Sequence, residues 1–276
     1  ESPTDNSLYR ESRSSKTLYR IRIMKQILIV FLWMLSLRGL AQETHVIEPS
    51  ILEVRYEVTH EQDKDMYVLR CGKNVSQYFS MNKLRDDSLR ASPDPAMRNI
   101  VLDEMLEAAM HRDDPTKQRP TSPGHGDYLY WNLVADTVSV YTRVFENKYL
   151  VEEEIPTMEW TIGEDSVQTI LGYECHKATT KFRGREWNVW FTEEIPVSLG
   201  PWKLNGLPGI ILQAECSGYI TITAYNISTT RISPVTFYNF ADFKYQPLER
   251  KKYLKMKTNP SSYPTGTIIT PLMELE

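Results

Sequence analysis

The sequence predicts a mainly β (α+β) protein, built as a single curved antiparallel sheet or partial barrel with one main helix at about residues 95–112. Three observations favour this fold class. Tyrosine is abundant, at 16 residues against 8 phenylalanines, and aromatic rings with a polar tip suit half-buried sheet faces. Short alternating segments recur between turn residues, and only one long segment has helical spacing.

The first 41 residues are expected to contribute nothing to this fold. From Met24 the chain has a basic start, a short apolar run, and the small residues Gly39 and Ala41 at the −3 and −1 positions of a cleavage site, which indicates a secretory signal peptide over residues 24–41. Residues 1–23 are polar and aperiodic, and we interpret them as a spurious or disordered extension. Because the apolar run is too short for a membrane span, we expect an exported protein without a transmembrane anchor after cleavage.

Removal of this leader makes the chain more acidic. The full sequence has 32 Lys and Arg against 36 Asp and Glu, and residues 1–41 hold 7 and 3 of them, which leaves 25 against 33. A net charge of about −8 repels nucleic acid, so nucleic-acid binding is not expected.

The remaining chain is predicted to form one domain over residues 42–255. Ile51 to Thr59 alternates between apolar and polar residues, as a half-buried strand does. Two further short strands follow it. Asp94 and Pro95 then mark a helix start, and methionines at helical spacing favour packing of that helix against the sheet core, with the lining of an apolar pocket as the alternative.

Prolines and glycines predict a loop over residues 113–126. From Asp127 to about Ile227 the chain returns to short strands joined by short turns, which favours an antiparallel sheet. The segment 256–276 is rich in proline and is predicted to be extended and poorly packed.

A tight hairpin is predicted at residues 181–185, where Gly184 supplies the positive φ that the turn needs. Arg183 and Arg185 would then project at its tip. Two interpretations are open: an anion-binding pair of guanidinium groups, or solvated charges on a turn of an acidic protein.

The connector that follows the hairpin strands is dense in turn residues. In Leu207-Pro208-Gly209-Ile210 the Pro and Gly occupy the two central positions of a predicted type II turn, so the connector should be ordered. Trp190 on the preceding strand and Trp202 in the connector could line the mouth of a curved sheet and receive an apolar ligand, although structural packing explains them equally well.

Three cysteines remain after the leader: Cys71, Cys175 and Cys216. The odd number leaves at least one thiol free. A Cys175–Cys216 bridge would require neighbouring strands, and burial of all three as small apolar side chains is the alternative.

Several segments together carry a resemblance to a known family. The hexapeptide G-L-P-G-I-I, preceded by F-R-G-R, W-F-T-E-E-I-P and G-P-W-K-L-N, resembles the GLPGLI family of secreted Bacteroidota proteins, with Ile210 in place of the usual Leu. The residues of this motif are Gly206, Leu207, Pro208, Gly209, Ile210 and Ile211. The resemblance implies a periplasmic or cell-envelope location and gives no catalytic residue.

No local motif indicates catalysis or a cofactor. The sequence lacks a G-x-S-x-G elbow, a P-loop and a dinucleotide fingerprint, and its five histidines have no metal-site spacing. We therefore predict no catalytic residue, no metal and no cofactor.

The function favoured by the sequence is a non-enzymatic binding or carrier protein for an apolar ligand, with Arg183, Arg185, Trp190 and Trp202 as hypothetical ligand-binding residues. Two other classes remain open. One is an interaction module that works with an outer-membrane transporter. The other is an enzyme whose nearest candidate groups are Cys175, His176, Glu193 and Glu194.

Overall fold

The structure is a computed structural model that describes residues 44–61, 63–111, 114, 126–265 and 272–275. The predicted N-terminal extension and signal peptide lie outside the described residues, as does nearly all of the predicted loop over residues 113–126.

In the described part of the chain, the backbone forms fourteen strands, three α-helices and one short 3-10 helix. The strands are β1 (Thr44–Glu48), β2 (Leu52–His60), β3 (Asp63–Cys71), β4 (Val75–Ser80), β5 (Tyr128–Asn132), β6 (Thr137–Val144), β7 (Asn147–Glu154), β8 (Thr161–Ile170), β9 (Tyr173–Phe182), β10 (Arg185–Thr192), β11 (Ile210–Cys216), β12 (Ile220–Ser228), β13 (Val235–Tyr238) and β14 (Gln246–Pro247). The helices are α1 (Met81–Arg90), α2 (Pro95–Met110) and α3 (Arg250–Thr258), and the 3-10 helix is Pro260–Ser262.

Twelve of these strands form one sheet in the order β14-β7-β6-β5-β4-β3-β2-β12-β11-β10-β9-β8. Neighbours pair antiparallel, apart from β14, which runs parallel to β7. Strands β1 and β13 form a separate two-stranded sheet. The large sheet is curved and open and does not close into a barrel, so the predicted mainly β fold with a curved antiparallel sheet is confirmed.

One face of the large sheet carries the main hydrophobic core. The same core receives side chains from β5 to β7 near one edge and from β9 to β12 near the other, so this face is the concave one. The alternation predicted for β2 has the expected result, because one side of that strand is buried in this core. Its buried core residues are Leu52, Val54, Tyr56 and Val58.

The opposite face is also partly covered. A smaller cluster packs there beneath α1 and β13 and consists of Val68, Phe79, Tyr128 and Tyr130. This cover explains why Glu53, on the polar side of β2, is buried: its carboxylate accepts a 2.7 Å hydrogen bond from Arg70 Nε on β3.

Two helices follow β4. Helix α1 was not predicted, because its sequence is mostly polar and none of its residues is buried. Helix α2 matches the predicted helix and begins at the Asp94 cap. Its predicted packing beneath the sheet is wrong: only Val101 is buried in α2, and the helix packs on α1 through the Arg85–Glu104 ion pair. No described helix is long and apolar enough to cross a membrane.

The predicted extended and poorly packed tail is wrong where the structure describes it. Helix α3 continues to Thr258 and a 3-10 turn follows. Further on, Leu272, Met273 and Glu274 are all buried. Met273 is part of the main hydrophobic core. This part of the chain is therefore packed against the rest of the protein.

The three cysteines are free and buried. The hypothetical Cys175–Cys216 bridge is wrong because β10 separates the two strands. Cys216 lies opposite Trp187 at the far end of β10, whereas Cys175 lies next to the residue that pairs with Phe191. Burial raises the pKa of all three thiols, that of Cys71 to about 12.

We expect a thiol reagent at neutral pH to react slowly with the folded protein and to titrate all three thiols after denaturation, with or without a reductant. Burial both blocks access and disfavours the reactive thiolate. A denatured, unreduced protein with a single titratable thiol would contradict this account.

Candidate functional site

The connector between β10 and β11, residues 193–209, packs into the concave face of the sheet. Its buried core residues are Leu199, Trp202, Leu204 and Leu207. Backbone hydrogen bonds fix it: Ile210 N donates to Ile195 O at 3.1 Å, and Gly206 N donates to Ser198 O at 3.0 Å. The prediction of an ordered connector is confirmed, and the connector fills space that a large ligand would need.

The role predicted for Gly209 is wrong. It lacks the positive φ of a type II turn, whereas Gly206 has a φ of 90°. Instead, a Cβ at Gly209 would lie 1.8 Å from the backbone oxygen of Thr192 and 2.9 Å from Glu193 Cα. Glycine is required here because the connector returns against the end of β10 with no room for a side chain.

Five charged side chains form a mostly buried network at the edge of the main core, which we call the mouth cluster: Glu153, Arg183, Lys203, Arg250 and Glu274. Lys203 Nζ lies 2.5 Å from Glu153 Oε1 and 3.0 Å from Glu274 Oε1. Arg183 Nη2 lies 2.5 Å from Glu153 Oε2, and Arg250 Nε donates to Glu274 Oε2 at 2.9 Å. The cluster therefore joins five separate parts of the chain.

The curvature of the sheet brings these groups together. Glu153 lies on β7, near one edge of the sheet, and Arg183 lies in the turn between β9 and β10, near the other. That turn is the predicted hairpin, with positive φ at Arg183 (52°) and Gly184 (75°). The connector supplies Lys203, and α3 supplies Arg250 as its first residue.

The mouth cluster has three cations for two carboxylates. The Lys203 side chain is only 3% exposed, and a buried charge is tolerated only when it is paired and hydrogen-bonded. Arg183 Nε is buried, makes no hydrogen bond to any described residue, and lies 3.8 Å from Glu274 Oε2. An arrangement with excess positive charge and a spare donor suits the binding of a carboxylate.

The chain itself supplies the carboxylate that occupies this position. Glu274 lies between Lys203 and Arg250, and the flanking backbone is also bound: Leu275 N donates to Arg183 O at 2.9 Å, and Arg185 Nε donates to Leu272 O at 3.1 Å. Residues 272–275 thus lie against the β9–β10 hairpin and are held by contacts that a separate peptide could also make.

A small cavity remains beside this segment. Its volume is about 30 Å³, and its walls include Trp202, Lys203, Tyr253 and Met273. A cavity of this size holds on the order of two water molecules. Asp127 adds a carboxylate at the same cavity and accepts from Tyr253 Oη at 3.5 Å.

Three of the four residues predicted to bind a ligand meet at this place: Arg183, Arg185 and Trp202. The two arginines do not project into solvent, because they contact Glu153 and Leu272. Trp190 is partly buried against the main core and does not line the cavity. The predicted pairing of Trp190 with Trp202 is wrong, because Trp202 stacks on Trp187, with ring centroids 5.6 Å apart, on the buried face of β10.

Four members of the mouth cluster were missed by sequence reasoning. Glu153 lies in a run of three glutamates that has no motif, and Glu274 fell in the segment predicted to be poorly packed. Lys203 carried the one usable signal, since it is a lone charge between Trp202 and Leu204 in an apolar, turn-rich segment.

The carboxylate of Glu274 responds to two opposing effects. Burial alone would raise its pKa, but Lys203 and Arg250 together hold the pKa below its ordinary value of 4.5. A carboxyl group with a lowered pKa in the folded state stabilises the protein above its unfolded-state pKa and loses that contribution as the pH falls through the folded-state value.

We therefore expect the free energy of unfolding to fall as the pH is lowered below about 4.5, and the Glu274→Gln variant to lose less over the same range. Urea unfolding at a series of pH values measures both. Parallel pH dependences for the two proteins would show that Glu274 has no such role.

Comparison with known proteins gives one family match. Residues 149–246, about a third of the chain, match the N-terminal domain of N-glycanase peptide (PNGase F-II). This match includes Glu153, Arg183 and Lys203. It concerns a different family from the one that the hexapeptide resembles, so the GLPGLI assignment stays a prediction. No curated protein matches the sequence.

Twenty-three chains of solved structures also match. Two of them are PNGF-II in the C2 and P21 space groups, with 14% and 13% sequence identity, 74% and 75% of this chain covered, and a TM-score of 0.46 each. This chain spans about a third of the length of those structures, because it covers 32% of each.

The other candidate groups do not form a recognisable reaction centre. Among the described residues, no group of three or more His, Cys, Asp or Glu side chains is placed to hold a metal ion. Cys175 is buried with a raised pKa, which disfavours a nucleophilic thiolate. Glu194 accepts a 2.9 Å hydrogen bond from the Glu174 backbone.

Proposed function

We propose that this protein is an exported, non-enzymatic binding protein that captures an extended peptide in which apolar residues precede an acidic one. The ligand would bind at the mouth cluster in place of residues 272–275. The observation that carries this proposal is the position of Glu274 between Lys203 and Arg250, with its flanking backbone held by Arg183 and Arg185.

Charge supports a ligand with a carboxylate. Without Glu274, three buried or partly buried cations would share the single carboxylate of Glu153. Unpaired buried charge is strongly unfavourable. The position of the Glu274 carboxylate in the mouth cluster therefore favours the binding of an anionic group. Hydrogen bonds to charged groups contribute about 1.5–3 kcal/mol each.

Shape supports a peptide over a lipid. The predicted carrier would need a pocket of roughly 300–1,000 Å³, whereas the connector fills the concave face and the cavity at the mouth is about 30 Å³. The backbone N–H of Leu275 donates to the backbone oxygen of Arg183 at 2.9 Å, a contact that a peptide can make. An acyl chain has no donor for the Arg183 carbonyl.

The predicted signal peptide at residues 24–41 supports export to the periplasm or cell envelope. The hexapeptide at residues 206–211 supports membership of the GLPGLI family. The match of residues 149–246 to the N-terminal domain of an N-glycanase supports the view that this part of the chain is a domain also used in other proteins. It assigns no activity to this chain.

The test uses the whole chain with a protease cleavage site introduced at residues 266–271. After cleavage, residues 272–276 are held by non-covalent contacts alone and can exchange. A labelled, amidated peptide of residues 270–276 should then bind with saturable anisotropy. The same peptide with Glu274→Gln should bind at least about ten-fold more weakly, because one charged hydrogen-bonding partner is lost.

Two further arms identify the ligand class. A peptide with serine at positions 272 and 273 should also bind weakly if the apolar pair is recognised. Dodecanoate tests the lipid alternative. Failure of the parent peptide to bind, equal binding of the Gln peptide, or displacement by dodecanoate at lower concentration than by the peptide would overturn the proposal.

A further inference from the structure

Helix α2 carries an apolar stripe whose side chains are largely exposed. The exposed fractions of Leu102, Met105, Leu106 and Met110 are 54%, 47%, 52% and 74%, and Ala109 is exposed beside them. These five residues, the α2 stripe, follow the i, i+3, i+4, i+7, i+8 spacing of one helix face.

The centre of the α2 stripe does not face α1. Glu104 pairs with Arg85 of α1 and lies opposite the stripe by the 3.6-residue period. Val101 is buried at the margin of the stripe, next to Met105, whose Sδ lies 3.8 Å from Arg90 Nη2 of α1. The contiguous exposed apolar side chains therefore need a second explanation, and such patches typically mark an interaction surface.

Charges beside the stripe indicate what covers it. Leu102 and Leu106 lie at the centre of the stripe, which would form the seam between two packed helices. Arg98 lies on one flank of the stripe and Asp103 on the other. In a parallel pair of helices, residues five apart on opposite flanks face each other across the seam, as g and e positions do in a coiled coil. Arg98 of one copy would then face Asp103 of the other, twice in a symmetric pair.

The rest of the helix fits the same parallel register. Met105 and Met110 are also five apart and would face each other across the seam. Asn99 would lie in the seam itself, where an asparagine favours a fixed register between two helices. Asp103 is exposed and forms no ion pair with any described residue. Arg98 uses only Nη1 in its hydrogen bonds to the backbone oxygens of Ser92 and Pro93.

We propose that the α2 stripe is a homodimer interface, in which the α2 helices of two copies of this chain pack parallel to each other about a two-fold axis. This inference is independent of the proposed peptide site. The stripe is short, so the dimer forms reversibly, with a dissociation constant in the micromolar range.

Sedimentation of the protein over a range of concentrations measures the equilibrium. The Leu106→Ser variant should be monomeric, whereas Leu133→Ser, a change at a leucine of similar exposure (44%) on another part of the surface, should dimerise like the parent protein. Both positions are exposed, so neither change should alter the folded state.

A charge exchange tests the parallel register. Arg98→Glu should weaken the dimer about ten-fold, a change of about 1.4 kcal/mol, because like charges then face each other. Adding Asp103→Arg should restore it. A monomer at every concentration, a dimer that survives Leu106→Ser, a dimer unaffected by Arg98→Glu, or a failure of the exchange to restore the dimer would overturn the proposal.

Discussion

Substitution of Gly209 by alanine is expected to destabilise the protein by about 3 kcal/mol or more, and we expect the variant to be largely unfolded in the cell. The added Cβ would lie 1.8 Å from Thr192 O and 2.5 Å from Thr192 C. Backbone cannot move aside as a flexible side chain can, so the connector would have to leave the end of β10. Urea unfolding followed by tryptophan fluorescence measures the loss.

Gly163→Ala is the matched control for this prediction. Gly163 also has no positive φ, and the nearest atom to its added Cβ is Lys177 O at 3.7 Å, an ordinary contact. Its substitution should change the free energy of unfolding by less than about 1 kcal/mol. Similar stabilities for the two variants would show that the close approach at Gly209 is not a constraint.

Substitution of Lys203 by alanine is expected to cost about 3–5 kcal/mol, the usual consequence of removing one partner from a buried ion pair. Lys203 lies between Glu153 and Glu274, and its side chain is 3% exposed. Its loss leaves the two carboxylates to the arginines and opens a void beside Trp202. Equilibrium urea unfolding is the measurement.

Lys181→Ala removes a lysine whose ion pair is exposed. The Lys181 and Glu186 side chains are 84% and 74% exposed, with 3.3 Å between their charged atoms. Exposed pairs contribute about 0–1 kcal/mol, so this variant should match the parent protein closely. Equal losses from the two lysine substitutions would contradict a specific role for the mouth cluster.

Local patterns predicted much of the sheet. Alternation along β2 identified the residues that face the core, and Arg183-Gly184 identified a two-residue hairpin, because side-chain period and backbone conformation are local properties. Helix α1 was missed because it has no such local pattern. It lies on the surface without a buried residue, so it has no apolar period to detect.

The reason for a glycine could not be predicted from its neighbours. Pro208-Gly209 has the composition of a type II turn, but the constraint on Gly209 comes from the end of another strand. The methionines of α2 have helical spacing whether they face a core or solvent, so spacing alone could not place them.

The site was predicted in part. Arg183, Arg185 and Trp202 were singled out because they stand within or beside the turn-rich segments. Their partners Glu153 and Glu274 are 30 or more residues away in sequence. Only the curvature of the sheet brings its two margins together at the mouth cluster, and a single sequence does not specify that curvature.

The central claim is that residues 272–275 occupy a binding groove that a free peptide can take. Hydrogen exchange at the Leu275 amide, which donates to Arg183 O, tests it most directly in the uncleaved protein. We predict that this amide is protected in the free protein and becomes exchangeable on addition of excess peptide of residues 270–276, while amides of β10 and β11 stay protected. Rapid exchange at Leu275 in the free protein, or protection that the peptide does not change, would contradict the claim.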